Sequence, residues 1–263
     1  MKAAKPLVAI AILIAIAGAA YVLSARAVRT ELLLTDVVAA PIEGAGGSVG
    51  VFMTIHNSGG PDRLVSARSI VAQRARLDHA VADAGLPIPA GSTPSLAPDG
   101  AFILMDGMGG DLLEGRMIPL TLRFETAGEF RTQARLAPPQ SRGNVGDFGL
   151  FGLGDICRVE EGEPAPRVAI EVTPDGDGWR LRVLAEDFTF APDQLDGPHV
   201  PGTGHGHLYV GGLKLMRLYE SEARIGALPP GKHQVRVTLN TNDHRAYVVN
   251  DLPVSAAAEI IVR

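Results

Sequence analysis

Five of the seven histidines in this 263-residue chain fall from His199 onward: His199, His205, His207, His233 and His244. The segment from His199 to Met216, HVPGTGHGHLYVGGLKLM, carries the densest potential for chemistry. On a strand, the spacing of His205 and His207 puts two imidazoles on one face. With Gly211-Gly212 as a two-residue hairpin turn, Val210 faces Leu213, Leu208 faces Leu215 and His207 faces Met216. Leu208, Val210, Leu213 and Leu215 then form an apolar face directed at a core. His205, His207, Tyr209, Lys214 and Met216 form the outer face. Imidazole suits copper and zinc, and a thioether draws a site toward Cu(I). His199 sits on a Gly/Pro loop that can fold back to the pair. His244, in Asn242-Asp243-His244-Arg245, closes the site if that loop meets the same edge, with Asp243 placed to orient a ring. The candidate metal ligands are therefore His199, His205, His207, His244 and Met216, for copper as Cu(I) or Cu(II). His233 shares parity with Val235, Val237 and Leu239 and reads as structural, and His56 precedes a turn.

The rest of the sequence narrows the class. There is no HExxH or P-loop, and no GxGxxG in a βαβ setting, so no catalytic residue is expected and the chain does not read as an enzyme. Lys plus Arg is 24 against 29 Asp plus Glu, a formal net charge of −5. That balance argues against nucleic acid as a partner, because phosphate binding needs a basic face. A single cysteine, Cys157, excludes an intramolecular disulfide framework and a CxxC centre. It reads as an unpaired surface thiol.

The elements that must position these groups read as strands. Glycine (31) and proline (19) are abundant, and short alternating runs recur, such as Val51–Ile55, Leu120–Phe124, Val168–Val172 and Gln234–Leu239. The expected fold is all-β: a cupredoxin-like sandwich over residues 31–137, a Gly/Pro-rich linker over 138–166, and an immunoglobulin-like or cupredoxin-like sandwich over 167–263. Ala67 to Asp83 is the one stretch between 31 and 137 that also admits a helix. At the start, Lys2 and Lys5 precede an apolar run over residues 6–23 and then Ala25-Arg26-Ala27. Residues 1–27 thus read as an export signal or a membrane anchor, which places the remainder in the periplasm.

The N-terminal half resembles a known family. Val51-Phe-Met-Thr-Ile-His-Asn-Ser-Gly-Gly-Pro-Asp62-Arg63-Leu64, Ile88-Pro-Ala-Gly91, Phe102-Ile-Leu-Met105-Asp-Gly107-Met108 and Pro119-Leu-Thr-Leu-Arg-Phe124-Glu-Thr-Ala-Gly128 are similar to blocks of the PCu(A)C-type periplasmic copper chaperones. The resemblance implies a cupredoxin-like sandwich, and a family site of two His and two Met that delivers copper to cytochrome oxidase assembly. The ligands depart from that pattern. The first copper His falls on Asp78, with His79 one place late, and the later His-x-Met pair falls on Phe102 and Leu104. The family site is therefore not carried over, and Met105 and Met108 read as packing. The C-terminal half resembles a less characterised domain appended to such chaperones, through His199 to Gly211, Leu228 to His233 and Asn240 to His244. That resemblance implies copper held by histidines, with Arg224 where one further His is expected.

These readings lead to an exported copper-binding protein, a chaperone or buffer that passes copper by ligand exchange to or from an envelope protein. The main alternative is a metal-free adaptor docking an oxidase-assembly or envelope partner. A copper or zinc enzyme ranks third, for want of a positioned acid or base.

Overall fold

The computed structural model describes residues 31–42, 47–78, 85–137 and 156–263. The segment expected as a signal or anchor, His79, and residues 138–155 of the expected linker lie outside them. The described residues are all-β apart from one 3₁₀ turn, Pro192–Gln194.

The first sandwich contains β1 (Leu32–Pro41), β2 (Val49–Asn57), β3 (Asp62–Arg68), β4 (Ala72–Asp78), β5 (Leu86–Ile88), β6 (Ser95–Leu96), β7 (Phe102–Met108), β8 (Met117–Phe124) and β9 (Gly128–Leu136). One sheet runs β4–β7–β2–β1 and the other β5–β3–β8–β9. Strand β8 shows why: Ile118, Leu120, Leu122 and Phe124 alternate into the core, as period two requires. The stretch that admitted a helix, as far as Asp78 where its description stops, is the end of β3 and then β4, with Asp78 to Ala72 paired antiparallel against Phe102 to Met108. Strand β1 is bulged between Thr35 and Val38, and beyond the bulge it also pairs in parallel with β9.

The second sandwich contains β10 (Ile156–Arg158), β11 (Arg167–Asp175), β12 (Gly178–Glu186), β13 (Thr189–Phe190), β14 (Thr203–Val210), β15 (Leu213–Leu218), β16 (Glu222–Ile225), β17 (Gly231–Asn240), β18 (Ala246–Val249), β19 (Leu252–Pro253) and β20 (Ser255–Val262). Its large sheet runs β15–β14–β17–β20 and its smaller one β11–β12–β16. Leu181, Ile225, Leu208, Val235 and Val237 fill the space between them. Part of the expected linker is strand: β10 pairs in parallel with β18, Cys157 opposite Tyr247. Cys157 is 4% exposed, which corrects the expectation of a surface thiol.

The two sandwiches meet edge to edge. Strand β6 pairs with β2 through Leu96 and Met53, and with β15 through Ser95 and Lys214. Ala101 N donates to Gly212 O at 2.7 Å, and Ala90 N to Ala227 O at 2.9 Å. The approach is close enough that a Cβ on Gly226 would lie 2.0 Å from Ala90 O. Leu213 is buried in the first sandwich's core, not in the second sandwich's as the hairpin parity suggested. The β14–β15 hairpin therefore belongs to both halves.

Candidate metal centre

The Gly211-Gly212 turn forms as expected, with both residues at positive φ and Val210 opposite Leu213. The register then slips: a bulge pairs Leu208 with Met216 and His207 with Arg217. On its other side β14 sets His205 opposite Asn240 and His207 opposite Thr238. The alternating glycines have a packing reason. A Cβ on Gly204 would fall 1.9 Å from Asn240 O, and one on Gly206 would press on Leu218 at 3.2 Å. Small residues on that face let β14 sit tightly on its neighbours, while the imidazoles occupy the opposite face.

That face is not open to solvent. His205 and His207 are each 1% exposed and His244 is 7% exposed, so the outward face read from parity is covered. Two loops cover it. The first is the turn Thr241–Arg245, closed by Thr241 N to Arg245 O (2.8 Å) and His244 N to Thr241 O (3.0 Å). Asn242 ties this turn to the segment before β14, donating to Gln194 Oε1 (3.0 Å) and Thr203 Oγ1 (2.9 Å). His244 thereby comes to rest against His205, ring centroids 4.9 Å apart at 68°. The second cover is the turn Ala97–Ala101 of the first sandwich, which carries Asp99.

His205, His207 and His244 each turn a ligand atom to a common region, all within 4.8 Å of one another; among the described residues this is the one such group. His205 Nε2 and His207 Nε2 are 3.0 Å apart. Each of the flanking rings meets a carboxylate. Asp99 Oδ2 lies 3.0 Å from His207 Nδ1, and also accepts from Tyr209 OH at 2.9 Å and Lys214 Nζ at 2.6 Å. Asp196 Oδ1 is hydrogen-bonded to His244 Nε2. An ionised carboxylate can only accept, so these contacts place protons on His207 Nδ1 and His244 Nε2. His207 then offers Nε2 to an ion, and His244 would offer Nδ1. His205 Nδ1 is buried and meets no hydrogen-bond partner.

The electrostatics keep His205 and His207 neutral. Burial pushes His207 down to about 4, against the pull of Asp99. Burial and the neighbouring His207 and His244 push His205 down to about 2. Burial alone would raise Asp99, but the His207 hydrogen bond and the Lys214 charge hold its carboxyl well below the ordinary range. Neutral imidazoles with free lone pairs are the form a cation needs. Nitrogens 3.0 Å apart also suit joint ligation of one ion at about 2.0–2.1 Å.

Two of the five residues singled out by sequence stand elsewhere. His199 Nε2 lies 3.5 Å from Cys157 Sγ, with its ring against Tyr247. Met216 is 36% exposed and lines a cleft between the sandwiches, moved off the histidine face by the bulge. Asp243 bonds Thr241 and Arg245 in place of a ring. Asp99 and Asp196 were not legible as ring partners: each comes from a turn that no strand pattern links to β14. His233 Nε2 donates to Pro229 O (2.6 Å) inside the fold, as its parity suggested. In the first sandwich Met105 is fully buried in the core.

Residues 32–136 match the family model described as putative lipoprotein LpqE-like. No curated protein matches the chain. Among solved structures, the chain is similar to a copper-bound PCuAC domain from PmoF2, at 23% identity and TM-score 0.38, over 42% of this chain and 99% of that one. It is similar also to an apo PCuAC domain from PmoF1, at 26% identity and TM-score 0.38, over 42% of this chain and 100% of that one. The LpqE-like match falls on the stretch whose motifs resemble the PCu(A)C-type chaperones and spans β1 to β9, so the histidine-bearing sandwich lies outside it.

Proposed function

We propose that this chain is a copper-binding protein of the cell envelope, and that its ion is held by His205, His207 and His244. The observation that carries the reading is the convergence of three buried imidazoles within 4.8 Å, two of them already paired to carboxylates. Such pairing is what ligating histidines almost always show, because it fixes the tautomer and strengthens the donor. An all-imidazole set suits copper and zinc, and divalent copper binds most tightly in the first-row series. The chaperone-like motifs of the first sandwich favour copper.

The role is carriage rather than turnover. Three protein ligands leave room for one from a partner, so copper can pass by stepwise ligand exchange to or from another envelope protein. Asp196 is 72% exposed on its side chain, so the His244 side of the cluster is the one nearest solvent. Delivery toward cytochrome oxidase assembly is the destination that the resemblance of the first sandwich implies.

Copper titration of the full chain against a competing chelator tests this. About one equivalent is expected, and the double substitution His205→Ala, His207→Ala should abolish it. Unchanged stoichiometry in the double variant would remove the site. The adaptor reading is favoured by the first sandwich's loss of ligands; it gains if the wild-type chain binds copper no better than a variant lacking all three histidines.

A further inference from the structure

Asp99 brings a carboxylate of the first sandwich to the histidine cluster. Its Oδ2 gathers three donors, His207 Nδ1, Tyr209 OH and Lys214 Nζ, at 2.6 to 3.0 Å. Its backbone is fixed from both sides. Ala97 N donates to Ala101 O (2.9 Å) and Gly100 N to Ala97 O (3.0 Å) within the turn, and Ala101 N donates across the junction to Gly212 O. Gly100 sits so close that a Cβ there would be 2.8 Å from Gly212 O and 3.2 Å from the Tyr209 ring. The carboxylate is therefore delivered to β14 by a turn of the first sandwich that is seated against the β14–β15 hairpin.

This geometry has a consequence for the ring it touches. His207 can present Nε2 to a cation only while its proton stays on Nδ1, and an acceptor at Nδ1 enforces that state. Tyr209 OH, 3.3 Å from the same nitrogen, spends its proton on Asp99 and reinforces the arrangement. Without the carboxylate, the tautomer with the proton on Nε2, facing His205, would compete.

We propose that the first sandwich, whose own ligand positions are altered, serves the second as part of its metal centre: Asp99 is a positioning residue that fixes the tautomer and aim of His207. The inference rests on the reading that the histidine trio binds copper. It assigns the N-terminal half a role in the affinity of a site it does not ligate.

The test is Asp99→Asn in the full chain, an isosteric change that removes the charge. Cu(II) is titrated against a competing chelator, and the bound ion's visible and electron paramagnetic resonance spectra are recorded. About one equivalent should still bind, with affinity lowered some 10–100-fold and the spectra shifted as His207 turns. A purely structural role would lower the melting temperature of the apo chain and leave the spectrum of bound copper as in wild type. Asp99→Glu keeps a carboxylate, should lose less affinity, and stands in if the Asn variant fails to fold. Wild-type affinity and spectra in Asp99→Asn, or in Asp99→Glu a loss as large as that of Asn, overturn this inference alone. A wild-type chain that takes up no copper overturns the metal reading together with it.

Discussion

Asp196 and His244 are hydrogen-bonded to each other while both hold left-handed backbones, at φ 61° and φ 67°. Neither is glycine, and each belongs to a different turn. Residues with side chains carry a cost of order 1–2 kcal/mol in that region, somewhat relieved for Asp, Asn and His. Two such residues facing each other beside two buried imidazoles mark a place where local comfort yields to side-chain aim.

His244→Asn separates backbone from ligand. Asn tolerates the left-handed turn but offers no imidazole. The melting temperature of the apo chain should stay within about 4 °C, a change of roughly 1 kcal/mol or less at this size. Copper affinity should fall by at least ~10-fold. Calorimetry and chelator competition read the two effects separately, and undiminished affinity would exclude His244 as a ligand.

Acid should weaken the apo protein in a defined window. His207 titrates near 6.5 when unfolded and is pushed down to about 4 by burial in the fold; His205 is pushed lower still and His233 is also lowered by burial. Between those values the unfolded chain binds more protons, so stability is full above about 6.5 and falls as pH drops from there. Each ring adds a slope of at most ~1.4 kcal/mol per pH unit. Asp99 has its folded value depressed, so its contribution is complete above about 3.9 and is lost only below that. Urea midpoints at pH 7, 6 and 5 should decrease in order; a flat series contradicts buried neutral histidines.

Gly226→Ala should strain the junction without touching the cluster. The new methyl would meet Ala90 O at 2.0 Å, beside the Ala90 N to Ala227 O bond. Overpacking of this kind costs about 1–3 kcal/mol. Chemical denaturation should show that loss, and wild-type stability would mean that the two sandwiches do not hold each other in solution.

Cys157 should be slow to react while the chain is folded. It is buried on β10, and burial pushes its thiol upward, so little thiolate forms near neutrality. Mass spectrometry after brief alkylation should find one unmodified thiol in native buffer and full labelling in denaturant. Rapid native labelling would place the thiol at the surface after all.

What the sequence disclosed follows from what period two can and cannot say. Alternation located β8 and the β14–β15 hairpin, and the Gly211-Gly212 pair fixed the turn. It also placed His205 and His207 on one face. Parity says which residues share a face but not what lies over it, so the burial of those imidazoles under Asp99 was invisible. It also assumes an unbroken ladder, and the bulge between Leu208 and Tyr209 carried Met216 away from His207. Asp196 and His244 met through hydrogen bonds between two loops, from Asn242 to Gln194 and Thr203. No local spacing encodes that. Cys157 was read as linker because glycine and proline surround a strand of only three residues.

Leu213 has a practical corollary for anyone dissecting this molecule. It springs from the C-terminal portion of the sequence yet fills space among the hydrophobic side chains of the N-terminal portion. Cutting the gene between the two would leave one fragment with a hollow and the other with a bare leucine, a penalty of about 1.5–3 kcal/mol for that side chain alone. Fragments made this way should be sticky and poorly behaved, whereas the intact polypeptide keeps each half as the other's missing piece.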